Sequence, residues 1–137
     1  MNIDESVDGV RKAAYWFFGI AGLSIINTFL ASKGAAFILG LGIGQLIDTI
    51  IIMLTGEVNY FISFLAPAIF IAIGIFAARL NRWAFIVGSI IYLFDAFLYL
   101  LFQSWLAFGF HLFILYKLYH GYRTIAEYDA LRARMMS

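Results

Sequence analysis

The sequence predicts an all-α polytopic membrane protein, with four transmembrane helices plus one re-entrant or interfacial amphipathic helix. Three observations carry that prediction. Of the residues, 64% are hydrophobic and only 12% charged, with a mean hydropathy of +0.95, against roughly 45–50% and about 25% in soluble domains. Apolar runs of about 20 residues recur, and at ~1.5 Å of rise per residue each reaches about 30 Å, the thickness of the hydrocarbon core. With four crossings, Arg11, Lys12, Arg79, Arg82, Lys117, Arg123, Arg132 and Arg134 all fall on one side and Lys33 alone on the other. That bias places both termini in the cytoplasm.

Taken in order, the chain opens with a polar, acidic stretch (Asp4, Glu5, Asp8) and the pair Arg11 and Lys12. An uncleaved first span is expected over residues 13–32, because a secretory signal has a shorter apolar region and a cleaner small-residue cleavage pattern than residues 30–34 offer. Residues 36–56 are the ambiguous segment. Gly40, Gly42 and Gly44 weaken a helix, and from Ile43 onward Gln45, Asp48, Thr49 and Thr55 share one face while Ile43, Ile47, Ile50 and Leu54 share the other. Such a segment dips into the outer leaflet or lies in the interface. If it crosses instead, five spans with an outside amino terminus still leave seven basic residues against two, so charge alone leaves both models standing. An aspartate near a helix centre, which costs ~2.5–3.5 kcal/mol on insertion scales, weighs towards four spans.

A second span covers residues 60–80, with Ser63, Pro67, Gly74 and Ala78 on one small-residue stripe and a kink expected at Pro67. The third covers residues 83–103. Here Gly88, Tyr92, Asp95, Tyr99 and Gln103 recur at steps of three or four and project within one narrow arc, opposite Ile86, Ile90, Leu93, Phe94, Phe97 and Leu101. An apolar helix thus carries a polar stripe with a carboxylate near its middle. Bilayer cannot satisfy that stripe, so other protein segments or a ligand must cover it. The fourth span, residues 105–122, carries His111 and ends in an aromatic and basic belt, Tyr116 to Arg123. A short amphipathic tail, residues 123–137, follows in the cytoplasm or on the membrane surface. All 137 residues are read as one bundle, since one proline and the lack of any linker composition give no boundary.

The dispersed basic residues and a net charge of +1 exclude a nucleic-acid partner. With no cysteine, disulfides, thiolate metal sites and thiol catalysis are excluded as well. The expected surroundings are the bilayer, a membrane-protein partner or a second copy of the chain. The composition resembles that of small prokaryotic membrane proteins, which makes the plasma (inner) membrane the expected location.

Any chemistry falls in one layer. Asp48 is nine residues before Glu57, Asp95 nine before Ser104, and His111 seven beyond it, so each lies about 10–14 Å below the outer end if its helix follows the membrane normal. Asn27 joins them under four spans. Three readings compete. In the structural one Asp95 pairs with His111 or its tyrosine neighbours and sets helix register. In the binding one Asn27, Gln45, Asp48, Tyr92, Asp95, Tyr99 and His111 line an outer-half pocket for a cation, a small polar molecule or a lipid headgroup. The catalytic alternative makes Asp48, Asp95 and His111 the ligands of a metal ion with a water at an open position, as in a membrane-embedded hydrolase; no spaced ligand motif accompanies them.

Overall fold

The computed structural model describes residues 1–34 and 40–137; residues 36–39, the start of the predicted embedded segment, lie outside that set. The described chain is helical throughout: α1 (Ile3–Ser32), α2 (Gly42–Thr55), α3 (Tyr60–Ser63), α4 (Leu65–Ala78), α5 (Arg82–Leu101) and α6 (Trp105–Met136). Helix α1 packs against α4 and α6, and α5 packs against the same two helices. The four close a ring around one core that contains Phe17, Phe70, Phe85, Tyr92, Ile114 and Leu118. Among the described residues three stretches are long and apolar enough to cross a membrane: α1, residues 60–78, and α5.

Two boundaries differ from the sequence expectation, for a shared reason. Helix α1 begins ten residues earlier than the predicted span, because Asn2 and Glu5 form a capping box. The Asn2 side chain accepts from the Glu5 N–H at 2.8 Å, and the Glu5 carboxylate accepts from the Asn2 N–H at 3.0 Å. At the other end α6 continues through Gly121 to Met136, so residues 123–137 are no separate tail helix. The two extensions cover each other. Val10 and Ile125 are fully buried, and a Cβ on Gly9 would lie 3.1 Å from Thr124 Cγ2.

The second apolar stretch is broken. Its first turn, α3, ends at Ser63 and α4 resumes at Leu65, three residues before the predicted kink position. Pro67 explains the break, because it has no N–H to give the Ser63 carbonyl four residues back. The turns α4–α5 and α5–α6 close alike. Leu80 and Gln103 adopt positive φ, at 64° and 57°, while the Asn81 and Ser104 N–H groups reach back to the Phe76 and Tyr99 carbonyls. Both are Schellman closures without glycine.

Helix α5 is divided as its pattern predicts over four of the five stripe positions: Gly88, Tyr92, Asp95 and Tyr99 are buried, and Ile90, Leu93, Phe94, Phe97 and Leu101 are exposed, whereas Gln103 lies past the helix end in the turn and is exposed. Gly88 permits the close approach to α1, since a Cβ there would sit 2.4 Å from Phe17 Cε1.

Helix α2 fixes the position of the polar groups. Gly40 packs against Ser24 of α1, although α1 continues to Ser32 and the turn at Gly34. Gly40 therefore lies level with a point about ten residues, roughly 15 Å of helix, back along α1 from Gly34. From there α2 runs in the direction of α1, with Gly44 beside Ser24 and Asp48 bonded to Thr28. It begins inside the protein and ends where α1 ends.

Candidate functional site

A helix that starts inside protein has N–H groups with no helical partner. At α2 the N-cap residue is Leu41, whose side chain offers no acceptor. The acceptor comes from α5. The Gly42 N–H donates to Asp95 Oδ2 and the Ile43 N–H to Asp95 Oδ1, both at 2.9 Å. One carboxylate, 53 residues away in sequence, does the work of an N-cap and meets the positive end of the helix dipole. Glycine at position 42 suits this close approach, since a Cβ would lie 3.0 Å from Tyr99 Cε2 and the ring would have to shift by a few tenths of an ångström.

His111 completes this node. Its Nε2 lies 2.9 Å from Asp95 Oδ2, and its Nδ1 lies 2.8 Å from the Ala107 carbonyl. A carbonyl only accepts, so Nδ1 carries a hydrogen, and a further proton lies between Nε2 and Oδ2. The pair is thus electrically neutral as a unit. Tyr92 stacks on the imidazole at 4.4 Å and 12°, and Tyr99 flanks it at 4.7 Å. The Tyr99 hydroxyl lies 3.1 Å from Gln45 Oε1 and 3.2 Å from the Gly40 carbonyl, tying α5 to the lead-in of α2. Asp95 and His111 are 3% and 0% exposed.

Asp48 forms a different node. Thr28 Oγ1 donates to its Oδ2 at 3.0 Å, and Ser63 Oγ bonds its Oδ1. The same Ser63 hydroxyl lies 2.9 Å from the Asn59 carbonyl. Three segments meet at this aspartate, which is 2% exposed. Among the described residues the one ion pair is that of Asp95 with His111, so no described lysine, arginine or histidine stands within 4.0 Å of Asp48.

Of the residues singled out by sequence, Gln45, Tyr92, Asp95, Tyr99 and His111 come together. Asn27 is buried against Gly40. Asp48 stands apart, five to six residues along α2 from the N–H groups that Asp95 holds, about 8–9 Å. The single-layer expectation is corrected here. The α2–α3 turn lies fifteen residues past Gly42 and the α5–α6 turn nine past Asp95, so the two turns are not level markers of depth. Asp48, Asp95 and His111 accordingly do not converge, and among the described residues no group of three such side chains could hold a metal ion. Sequence reading missed Thr28 and Ser63; the available signal was that a hydroxyl on a buried stripe needs a partner, and Asp48 needed donors.

No family model, curated protein or solved structure matches the chain.

Proposed function

We propose that the protein is a four-span helical bundle of a prokaryotic plasma (inner) membrane, with both termini in the cytoplasm and α2 as a re-entrant half-helix in the outer half. Helix α6 supplies the fourth span in this reading. Its polar residues His111, Lys117 and His120 lower its hydropathy, yet His111 is covered by protein while Leu106, Leu112 and Phe113 face outward as lipid-facing residues do. The single lysine near the end of α1 and the basic residues elsewhere support the orientation.

The role we propose is non-enzymatic binding of a cation, a small polar ligand or a lipid headgroup in the outer half, by the chain alone or as a subunit of a larger assembly. One observation carries it: Asp48 is a buried carboxylate that, among the described residues, only hydroxyl groups reach. An ionisable group inside a membrane marks a functional position by default. Asp95 has its own imidazole and backbone partners and serves to hold α2 in place. The catalytic alternative needs Asp48, Asp95 and His111 together, and their separation gives it no support.

Melting temperature in matched detergent tests the reading. A panel of alkali and alkaline-earth cations, ammonium compounds, amino acids and phosphocholine-type headgroup analogues is added to wild type and to Asp48→Asn. A ligand of the folded state raises stability with concentration, so at least one addition is expected to stabilise wild type and not the variant. Equal response of both proteins to every addition refutes the binding role.

A further inference from the structure

We infer that Asp48, Thr28, Ser63 and the Asn59 carbonyl form a site for one sodium ion. The inference rests on the binding reading above and names its ligand.

The hydrogens around Asp48 are fewer than the contacts they serve. Thr28 supplies the one to Oδ2. The Ser63 hydroxyl has a single hydrogen but stands within bonding distance of two oxygens, Asp48 Oδ1 and the Asn59 carbonyl. That hydrogen is either shared between the two in a three-centre bond or spent on one of them, and in the second case a positive centre meets the other. That centre is either a proton on Asp48, which then donates to Ser63 while Ser63 donates to Asn59, or a small cation that all of them face.

Charge sets the valence. A buried carboxylate without a cationic partner is costly, and one monovalent ion neutralises it. A divalent ion would leave a net positive charge in the same low-dielectric place. The donor set is made of oxygen throughout (carboxylate, two hydroxyls and a peptide carbonyl), which suits a hard cation. These oxygens touch through hydrogen bonds, so sodium, the smaller ion, requires them to move apart less than potassium does.

The surface points to the same place. A cleft of about 460 Å³ with partly polar walls opens at the end where α1 and α2 finish. Its wall includes Ser32, Ile52 and Tyr60, each about one helical turn along from Thr28, Asp48 and Ser63 in turn. The node thus sits one turn beneath an opening, and Glu57 at that opening adds negative charge that draws cations in.

The test follows melting temperature of the intact protein in detergent with sodium chloride, potassium chloride or choline chloride at equal ionic strength. We expect wild-type stability to rise with the logarithm of sodium concentration, less with potassium and not with choline. Glu57 also places a carboxylate at the cleft, so Glu57→Gln is run beside Asp48→Asn. Only the latter should abolish the sodium response. Should Asp48→Asn fold poorly, Thr28→Ala keeps the carboxylate and is expected to weaken the sodium response several-fold. The inference is overturned by equal responses to the three salts or by a sodium response that survives in Asp48→Asn. Stabilisation through Asp48 by another ligand, with none from sodium, removes the sodium assignment and leaves the binding reading; no response to any addition removes both.

Discussion

Replacing Asp95 by asparagine tests whether this carboxylate anchors α2. The variant keeps one acceptor oxygen and puts an NH₂ group where the other stood. With the oxygen on the Ile43 N–H, the NH₂ faces the Gly42 N–H donor against donor, and the flipped rotamer moves the same conflict to Ile43. His111 adapts, because its Nε2 can accept from the NH₂ as a neutral imidazole. One buried N–H is left without a partner at ~1–3 kcal/mol. Loss of the negative charge at the helix N-terminus removes up to ~2 kcal/mol more in a partly buried setting. A destabilisation of about 2–4 kcal/mol follows from these two contributions. Reversible unfolding in mixed detergent micelles measures the total, and hydrogen exchange at the Gly42 and Ile43 amides localises it. Exchange should accelerate at the start of α2 while amides around Phe17 and Ile114 stay protected. A change below about 0.5 kcal/mol, the usual size for a substitution without structural consequence, together with unaltered exchange at those two amides, would refute the anchoring role.

The remaining predictions concern packing, the lead-in and orientation. Gly121→Ala places a Cβ 2.3 Å from Ala13 Cβ, and Gly88→Ala one 2.4 Å from Phe17 Cε1, so each should lower unfolding free energy by ~1–3 kcal/mol. Gly19→Ala and Gly22→Ala meet nothing within 4 Å, and the same measurement should find them neutral or up to ~1 kcal/mol more stable. Tyr99→Phe removes the hydroxyl between α5 and the Gly40 carbonyl and should cost about 1 kcal/mol in the same unfolding assay. In right-side-out cells an impermeant thiol reagent should label a cysteine at Glu57 and spare cysteines at Asp4 and Ser137. Labelling at position 4 with protection at 137 replaces the four-span model by the five-span one.

Much of the fold was legible because a bilayer leaves the chain few choices. Backbone groups must bond within helices, so apolar runs with basic ends announce their elements. The stripe on α5 was legible for the same reason, since Tyr92, Asp95 and Tyr99 could not face lipid. Two boundaries were not. The start of α1 depends on a capping box in a polar stretch that hydropathy ignores, and the continuation of α6 depends on Val10 and Gly9 covering Ile125 and Thr124. The partner of Asp95 was half legible. His111 was a candidate, whereas the two N–H groups of α2 were not, because the glycines that bring them within reach read in sequence as helix weakness. Gly40 and Gly42 instead allow close passage past Ser24 and Tyr99. The grouping of Asp48 with Thr28 and Ser63 was hidden by register: it needs α2 to run along α1 from a start about ten residues back, and no local pattern encodes that return.

The two aspartates then divide the work by how their charge is met. Asp95 has an imidazole, two backbone donors and a helix dipole, and the pair it makes with His111 is neutral without help. A charge so completely met has no reason to exchange anything, and its effect is to fix where α2 begins. Asp48 lies on the same helix five residues beyond Ile43, with two hydroxyls and no cationic side chain among the described residues. The sodium ion inferred above would supply the missing positive charge. Fixing α2 at Asp95 also fixes Asp48 against Thr28 and Ser63. On this argument His111→Gln, which withdraws the imidazole's proton and charge from Asp95, should weaken sodium stabilisation without touching any proposed ligand of the ion. A sodium response of wild-type strength in a folded His111→Gln protein would show that the two nodes are independent.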